Sequence, residues 1–321
     1  MTLSETPVTG FLLPVMDKSS RVVALIGANG MLAKMIRERA PKNYKLHLFD
    51  LPDFDMTDQP QVLSVVDRLR PDVIINCAAY TDVDGCETEV DIANRVNGMA
   101  VGYLAEAAKR VQATLVHIST DYVFDGKKNT PYTEQDQTNP QSAYGNSKLM
   151  GEQALLASGL KKYFIVRTSW LYGSGGKNFV ETILRLAGER QELNIVADQV
   201  GSPTYTADLA DAIFHLLALT DHRSPVTGHD PYGTYHFANE GQCSWHEFAC
   251  AIVEEASSHD LPVVTRNIHP IRTEEYPLPA QRPANSVFDK SKYKAATGNE
   301  IPEWRKSLRE YLASREKVDV T

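Results

Sequence analysis

Tyr144 and Lys148 stand four residues apart in Tyr144-Gly145-Asn146-Ser147-Lys148. On a helix that spacing puts a phenol and an ammonium on one face, where the cation is placed to bias the phenol toward ionisation. A free phenol titrates near ~10, and bringing it toward neutrality takes roughly 4 kcal/mol of preferential interaction with the ionised form. Alone, the pair describes a solvated helix face as readily as a site. Upstream, Ser119-Thr120-Asp121 ends the apolar run Val116-His117-Ile118. That places the Thr120 hydroxyl at the carboxyl edge of a sheet, where doubly wound proteins bind ligands. Thr120, Tyr144 and Lys148 together offer an oxygen-binding hydroxyl, a proton donor and a cation, the set that hydride transfer to a carbonyl requires.

A glycine-punctuated turn supplies the second half of such a site. Val22-Val23-Ala24-Leu25-Ile26 reads as a central parallel strand, broken by Gly27-Ala28-Asn29-Gly30 before a helix from Met31 to Arg39. In Gly27-x-x-Gly30-x-x-Ala33 the small residues permit a sharp turn, and the helix N-terminus offers unpaired amides to a pyrophosphate. Asn29 joins the two glycines as a candidate cofactor residue. Asp50 closes the second strand about twenty residues on, where a carboxylate accepts hydrogen bonds from ribose hydroxyls. It would repel a 2′-phosphate, and Leu51-Pro52 offers no cation, so NADH is favoured over NADPH. The competing reading of Asp50 is a loop or helix cap. Asp55 and Met56 are placed to flank the adenine, with the thioether on the ring face; Asp55 reads equally as an Asx-turn residue.

These residues require an alternating scaffold, and the pattern predicts one. Strands are expected at Lys45–Phe49, Asp72–Cys77, Thr114–Ile118 and Tyr163–Arg167, with helices at Asp58–Leu69, Val90–Arg110 and Tyr144–Leu156. The expected fold is α/β, a doubly wound parallel sheet of Rossmann type with a smaller C-terminal substrate lobe. Residues 1–20 read as an extension, 21–172 as the dinucleotide-binding domain, and 173–321 mainly as the substrate lobe. Thr234–Ala238 and the helix at Ala207 are placed to return to the main sheet.

With 321 residues, 42% hydrophobic and 23% charged, the chain has the length and composition of a globular protein. No apolar run approaches the length of a membrane span, and Met1–Ser20 lacks the features of a signal peptide, so a cytoplasmic location is expected. A formal net charge of -8 argues against a nucleic-acid polymer as partner. Cys77, Cys86, Cys243 and Cys250 lack Cys-x-x-Cys spacing and are expected to be reduced thiols. No metal-ligand constellation is apparent; Glu189 and Glu192 read as solvated or paired with Arg190. Monomer and homodimer both remain open.

Taken in order, these motifs resemble the extended short-chain dehydrogenase/reductase superfamily, and within it the dTDP-4-dehydrorhamnose reductase family. The resemblance runs from about Val22 to beyond Trp304. It is carried further by Ser119-Thr120-Asp121-Tyr122-Val123-Phe124-Asp125-Gly126, Arg167-Thr168-Ser169-Trp170-Leu171-Tyr172-Gly173, Asn178-Phe179-Val180, Asp198-Gln199-Val200-Gly201-Ser202-Pro203-Thr204 and Arg282-Pro283-Ala284-Asn285-Ser286. It implies reduction of the 4-keto group of a sugar-nucleotide substrate, dTDP-4-dehydro-L-rhamnose, with Tyr144 as proton donor and NADH or NADPH as cofactor. By the same resemblance Gly30, Met31 and Leu32 line the pyrophosphate turn, and Ala78, Ala79 and Tyr80 line the cofactor. Thr120, Asp121 and Trp170 meet the sugar nucleotide, and Arg282 suits a diphosphate. Trp170 reads equally as core, and Arg282 as a salt bridge tethering the C-terminal segment. Another sugar-nucleotide reductase or epimerase of the superfamily, or a non-catalytic NAD(P)-binding regulatory subunit, would carry much of the same pattern.

Overall fold

The computed structural model describes residues 20–220 and 230–315; apart from its last residue, the expected N-terminal extension lies outside them. Five parallel strands, β1 (Arg21–Ile26), β2 (Tyr44–Phe49), β3 (Val73–Asn76), β4 (Thr114–Thr120) and β5 (Tyr163–Thr168), join the later strand Gly233–His236 in one sheet. The spatial order is Gly233–His236, β5, β4, β3, β1, β2. The chain thus winds outward from β1 in both directions, and the switch between the two windings opens a crevice beyond the carboxyl ends of β1 and β3.

Alternation along the strands explains how both faces are covered. Val23 and Leu25 point with Val73, Ile75, Val116 and Phe164 toward one helical layer. Ala24 and Ile26 point with Ile74, Leu115 and Ile165 toward the other, as the two-residue period of a strand requires. The first layer holds α1 (Met31–Arg39) and α7 (Thr206–Ala218); the second holds α2 (Gln59–Leu69), α4 (Ala100–Val111) and α5 (Ala143–Ala157). Local signals set the helix ends. The Asp58 carboxylate caps α2 by accepting from the Gln61 amide, and the Ser142 hydroxyl caps α5 by accepting from the Gly145 amide.

A second core gathers Tyr172 and Tyr205 with α6 (Phe179–Glu189), α8 (Trp245–Ser258) and the C-terminal helix Trp304–Arg315. Its members derive from the later part of the chain, yet the strand Gly233–His236 lies parallel to β5 in the main sheet. No helix among the described residues is long and apolar enough to cross a membrane.

One expected helix is interrupted. Val90–Arg110 forms a short α3 (Val90–Ala93), a π-helical stretch Asn94–Met99, and then α4. Such wide turns are frequent at functional sites, and this one carries Asn97 into the interior, where the residue is 1% exposed. The Asn97 amide donates to the Tyr80 carbonyl at 3.0 Å and the Ser147 hydroxyl at 3.0 Å, while its oxygen accepts from the Tyr80 amide at 2.8 Å. These bonds connect the loop after β3 to α5 and explain why the regular ladder yields here.

Helix α5 approaches the π-helical stretch so closely that a Cβ at Gly151 would strike the Asn97 carbonyl. Gly151→Ala is therefore expected to destabilise the fold by about 1–3 kcal/mol, the usual cost of overpacking. Gly102→Ala, whose new methyl would meet only Ala154 at 3.4 Å, is expected to be neutral or stabilising. Thermal or urea unfolding of the two variants checks the contrast; equal effects would contradict the close contact.

Candidate active site

The turn after β1 forms a cradle at the carboxyl edge of the sheet. Gly27 has φ +75°, and a Cβ there would lie 2.6 Å from the Ala78 amide nitrogen, so neither its conformation nor its space admits a larger residue. Gly30 caps α1 with extended backbone and no side-chain hydrogen bond, leaving the first-turn amides without a side-chain cap. Such a helix start fits a pyrophosphate. Met31 lies half-buried at this helix start, and the Leu32 side chain is in the core, so Leu32 has its backbone, not its side chain, at the turn.

Asp50 occupies both of its carboxylate oxygens locally. Oδ2 accepts from the Asn29 amide at 2.8 Å and Oδ1 from the Leu51 amide at 2.8 Å. The capping role is therefore present in the structure, and it fastens the glycine turn to the end of β2. Asp55 forms the Asx-turn, accepting at 2.8 Å from both the amide and hydroxyl of Thr57. Met56 is 5% exposed among Phe54 and Val62, so its thioether is largely core. Ala78, Ala79 and Tyr80 follow β3 as half-buried residues facing the same edge, with the Ala78 amide held by the Asn76 side chain at 3.1 Å.

Thr120, Tyr144 and Lys148 come together as the spacing predicts, all buried. Thr120 ends β4, while Tyr144 and Lys148 project from successive turns of α5. Lys148 Nζ donates to the Ile118 carbonyl at 2.7 Å. Burial draws its ammonium down to about 8, with Glu152 opposing that shift. The Thr120 hydroxyl donates to Asp121 Oδ1 at 2.9 Å and accepts from the Tyr122 amide at 3.2 Å. Tyr144 packs edge-on against Tyr122, with ring centroids 5.4 Å apart.

The expected electrostatics of Tyr144 require a correction. Its phenol is not drawn toward ionisation; burial raises it well above its ordinary value, a hydrogen bond with Thr120 pulls it back, and Asp121 raises it further. The physical reason is that Lys148 directs its ammonium to a strand carbonyl, while the phenol lies in a pocket with Cys86 and Ala93. A neutral phenol is the form that can donate a proton.

The remaining candidates occupy the rim. Asp121 is 3% exposed, and its Oδ2 is buried with no hydrogen-bond partner among the described residues, with the Ser286 hydroxyl alongside. Trp170 adopts φ +47° and stacks one indole face on Trp245 at 3.5 Å, staying half-buried. Arg282 grips Asp84 with both terminal nitrogens, at 2.6 and 2.7 Å, so the tethering salt bridge exists. Gln199 and Thr204 engage Thr273 and Thr168 and so shape their loops. Glu189 pairs with Arg185 rather than Arg190, and the four cysteines are free thiols.

Two positions beside the reacting groups escaped the sequence reading. Asn97 was hidden inside an apparently regular helix. Glu152 was visible in principle, because Tyr144, Lys148 and Glu152 continue one four-residue spacing.

Residues 21–316 match the family model described as RmlD substrate binding domain. A dTDP-4-dehydrorhamnose reductase of Burkholderia thailandensis is 48% identical over 250 residues, covering 77% of this chain and 83% of the relative. A crystal structure of a dTDP-4-dehydrorhamnose reductase from Clostridium acetobutylicum superposes with a TM-score of 0.85 at 40% identity, covering 92% of this chain and 99% of the other. The Bacillus anthracis dTDP-4-dehydrorhamnose reductase, solved in complex with NADP, gives 0.83 at 42% identity over 92% and 99%.

Desolvation pushes the Asp121 carboxyl up to about 6, against the downward pulls of Ser286 and Thr120. The folded protein thus favours protonated Asp121. Its contribution to stability is full below the ordinary value of 3.8 and is lost as pH rises through about 6. Asp121→Asn is expected to gain about 1 kcal/mol relative to the parent between about pH 5 and about pH 7.5. Urea unfolding at both pH values checks this, and a pH-independent difference would contradict it.

Proposed function

Belonging as it does to the dTDP-4-dehydrorhamnose reductase family, the chain is an NAD(P)H-dependent oxidoreductase that reduces dTDP-4-dehydrorhamnose, and we propose that Thr120, Tyr144 and Lys148 perform the reduction. The observation that carries this assignment is the burial of a neutral phenol beside a threonine hydroxyl at the carboxyl edge of the sheet. The reduced nicotinamide, when bound, supplies the hydride to the 4-keto carbon.

Tyr144 donates its proton to the oxygen that becomes the new hydroxyl, and Thr120 orients that oxygen by a hydrogen bond. The buried Lys148 ammonium, held by the Ile118 carbonyl, binds the nicotinamide ribose. Gly27, Asn29, Gly30, Met31 and the Leu32 backbone form the pyrophosphate turn, and Ala78, Ala79 and Tyr80 lie along the cofactor. Asp121, with an unpartnered buried oxygen, accepts a hydrogen bond from the sugar, and the half-buried Trp170 supplies an apolar wall. Arg282, braced by Asp84, is oriented for the diphosphate.

Asp50 favours NADH in this reading. Among the described residues its carboxylate pairs with no cation, and it sits beside the turn, so a 2′-phosphate would meet a like charge. The expected kcat/KM ratio of NADH over NADPH is about tenfold, equal to roughly 1.4 kcal/mol, and Asp50→Ala should erase most of it. Tyr144→Phe should lower kcat about 10²–10⁴-fold while cofactor binding persists. Absorbance at 340 nm with dTDP-4-dehydro-L-rhamnose reads the turnover, and titration of NADH fluorescence reads the cofactor binding of Tyr144→Phe. A stronger NADPH preference would overturn the Asp50 argument, and an active Tyr144→Phe would overturn the proton donor.

A further inference from the structure

Behind the reacting groups lies a buried polar network that the reduction itself does not use. Glu152 follows Lys148 by one turn of α5 and is 2% exposed. Its Oε1 accepts from the Ser119 hydroxyl at 2.5 Å and from Arg167 Nε at 2.9 Å, and its Oε2 accepts from Arg167 Nη2 at 2.6 Å. Arg167, on β5, is itself buried and lies over the Phe124 ring at 5.1 Å. Ser119 stands between Ile118, whose carbonyl receives the Lys148 ammonium, and Thr120.

We propose that Glu152 is a positioning residue for the reduction: through Ser119 it fixes the end of β4 that presents both Ile118 and Thr120, and through its negative charge it holds the Lys148 ammonium, with Arg167 setting how much of that charge is felt. The inference rests on the reading that Lys148 serves the reaction as a cation. Glu152 contacts Ser119 and Arg167, and its effect on the reaction passes through Ser119 and Lys148.

The surroundings of Lys148 leave Glu152 as its principal favourable charge. Cys77, just after β3, is pushed up to about 12 by burial and is a neutral thiol. His117 on β4 is fully buried and held well below its ordinary value, so it is neutral too. Tyr144, one turn earlier, is a neutral phenol. Glu152 is the strongest influence opposing desolvation of the ammonium, and Arg167 is its ion-pair partner at 2.6 Å.

The two members of the ion pair therefore act on Lys148 with opposite sign. An essential ammonium gives activity that is lost as pH rises through its titration. Removing Glu152's charge disfavours the ammonium, so Glu152→Gln should move the alkaline limb of kcat to lower pH, by about one pH unit. Removing Arg167's charge exposes the carboxylate to Lys148, so Arg167→Gln should move the limb to higher pH. Both variants break a buried pair and should unfold more easily; loss of stability thus has one sign and the limb shift has two.

The experiment is the pH profile of kcat for the parent, Glu152→Gln, Arg167→Gln and Lys148→Met, measured on the cofactor-saturated full chain. Opposite shifts in the first two variants, with no limb in Lys148→Met, are the expected result. A limb unmoved in both variants, or moved in the same direction, would overturn the role of Glu152 while leaving the Lys148 assignment intact. A limb that persists in Lys148→Met would overturn the Lys148 assignment and the inference with it. If Glu152→Gln does not fold, Arg167→Gln decides: an upward shift supports the proposal, and an unmoved or downward limb refutes it.

Discussion

Burying an ammonium and a carboxylate on one helix face is the constraint on which the site depends. Ions removed from water cost several kcal/mol each unless nearby charges and hydrogen bonds compensate. Lys148 and Glu152 are each 2% exposed, so the groups bonded to them supply that compensation. The Ile118 carbonyl is directed at Nζ, Ser119 and Arg167 at the carboxylate. Helix α5 must therefore lie against the end of β4, and the glycine at 151 permits the same helix to touch the Asn97 carbonyl. The phenol of Tyr144 is placed as a consequence, one turn before the lysine and within reach of Thr120.

The same economy of contacts is seen across the crevice. Asp50 ties Asn29 to the end of β2, and Gly27 allows the chain to pass against Ala78. The glycine turn, the end of β2 and the loop after β3 are thus held together by the protein's own contacts. Asn97 extends that connection to α5 through Tyr80 and Ser147. The glycine turn, the loop after β3 and the helix that carries Tyr144 are consequently parts of one frame of hydrogen bonds and close contacts, fixed in place without a ligand.

Much of this was legible in the sequence because it follows from local periodicity. The apolar run at β1 and the spacing of Gly27, Gly30 and Asp50 specify a strand, a turn and a second strand end without reference to the rest of the molecule. Met31–Arg39 begins and ends where its pattern does. What could not be read depends on contacts distant in sequence. The π-helical stretch at Asn94–Met99 has the composition of an ordinary helix, and only the bonds of Asn97 to Tyr80 and Ser147 make its wide turn worthwhile. The electrostatics of Tyr144 were misread for a similar reason: helical spacing places Lys148 on the same face but does not reveal that its ammonium turns to Ile118. Arg282 reads from the sequence either as a cation for a diphosphate or as a tether, and its partner Asp84, which lies 198 residues earlier, is invisible to local spacing.

The central claim is that this buried face directs a hydride to the 4-keto carbon of a sugar nucleotide. The most direct test is to supply dTDP-4-dehydro-L-rhamnose with nicotinamide cofactor carrying deuterium at its transferable position and to examine the product by NMR. Deuterium bound to C4 of dTDP-L-rhamnose, in step with cofactor oxidation, is the predicted result. A sugar that acquires no deuterium, or an epimerised sugar with the cofactor unconsumed, would contradict it.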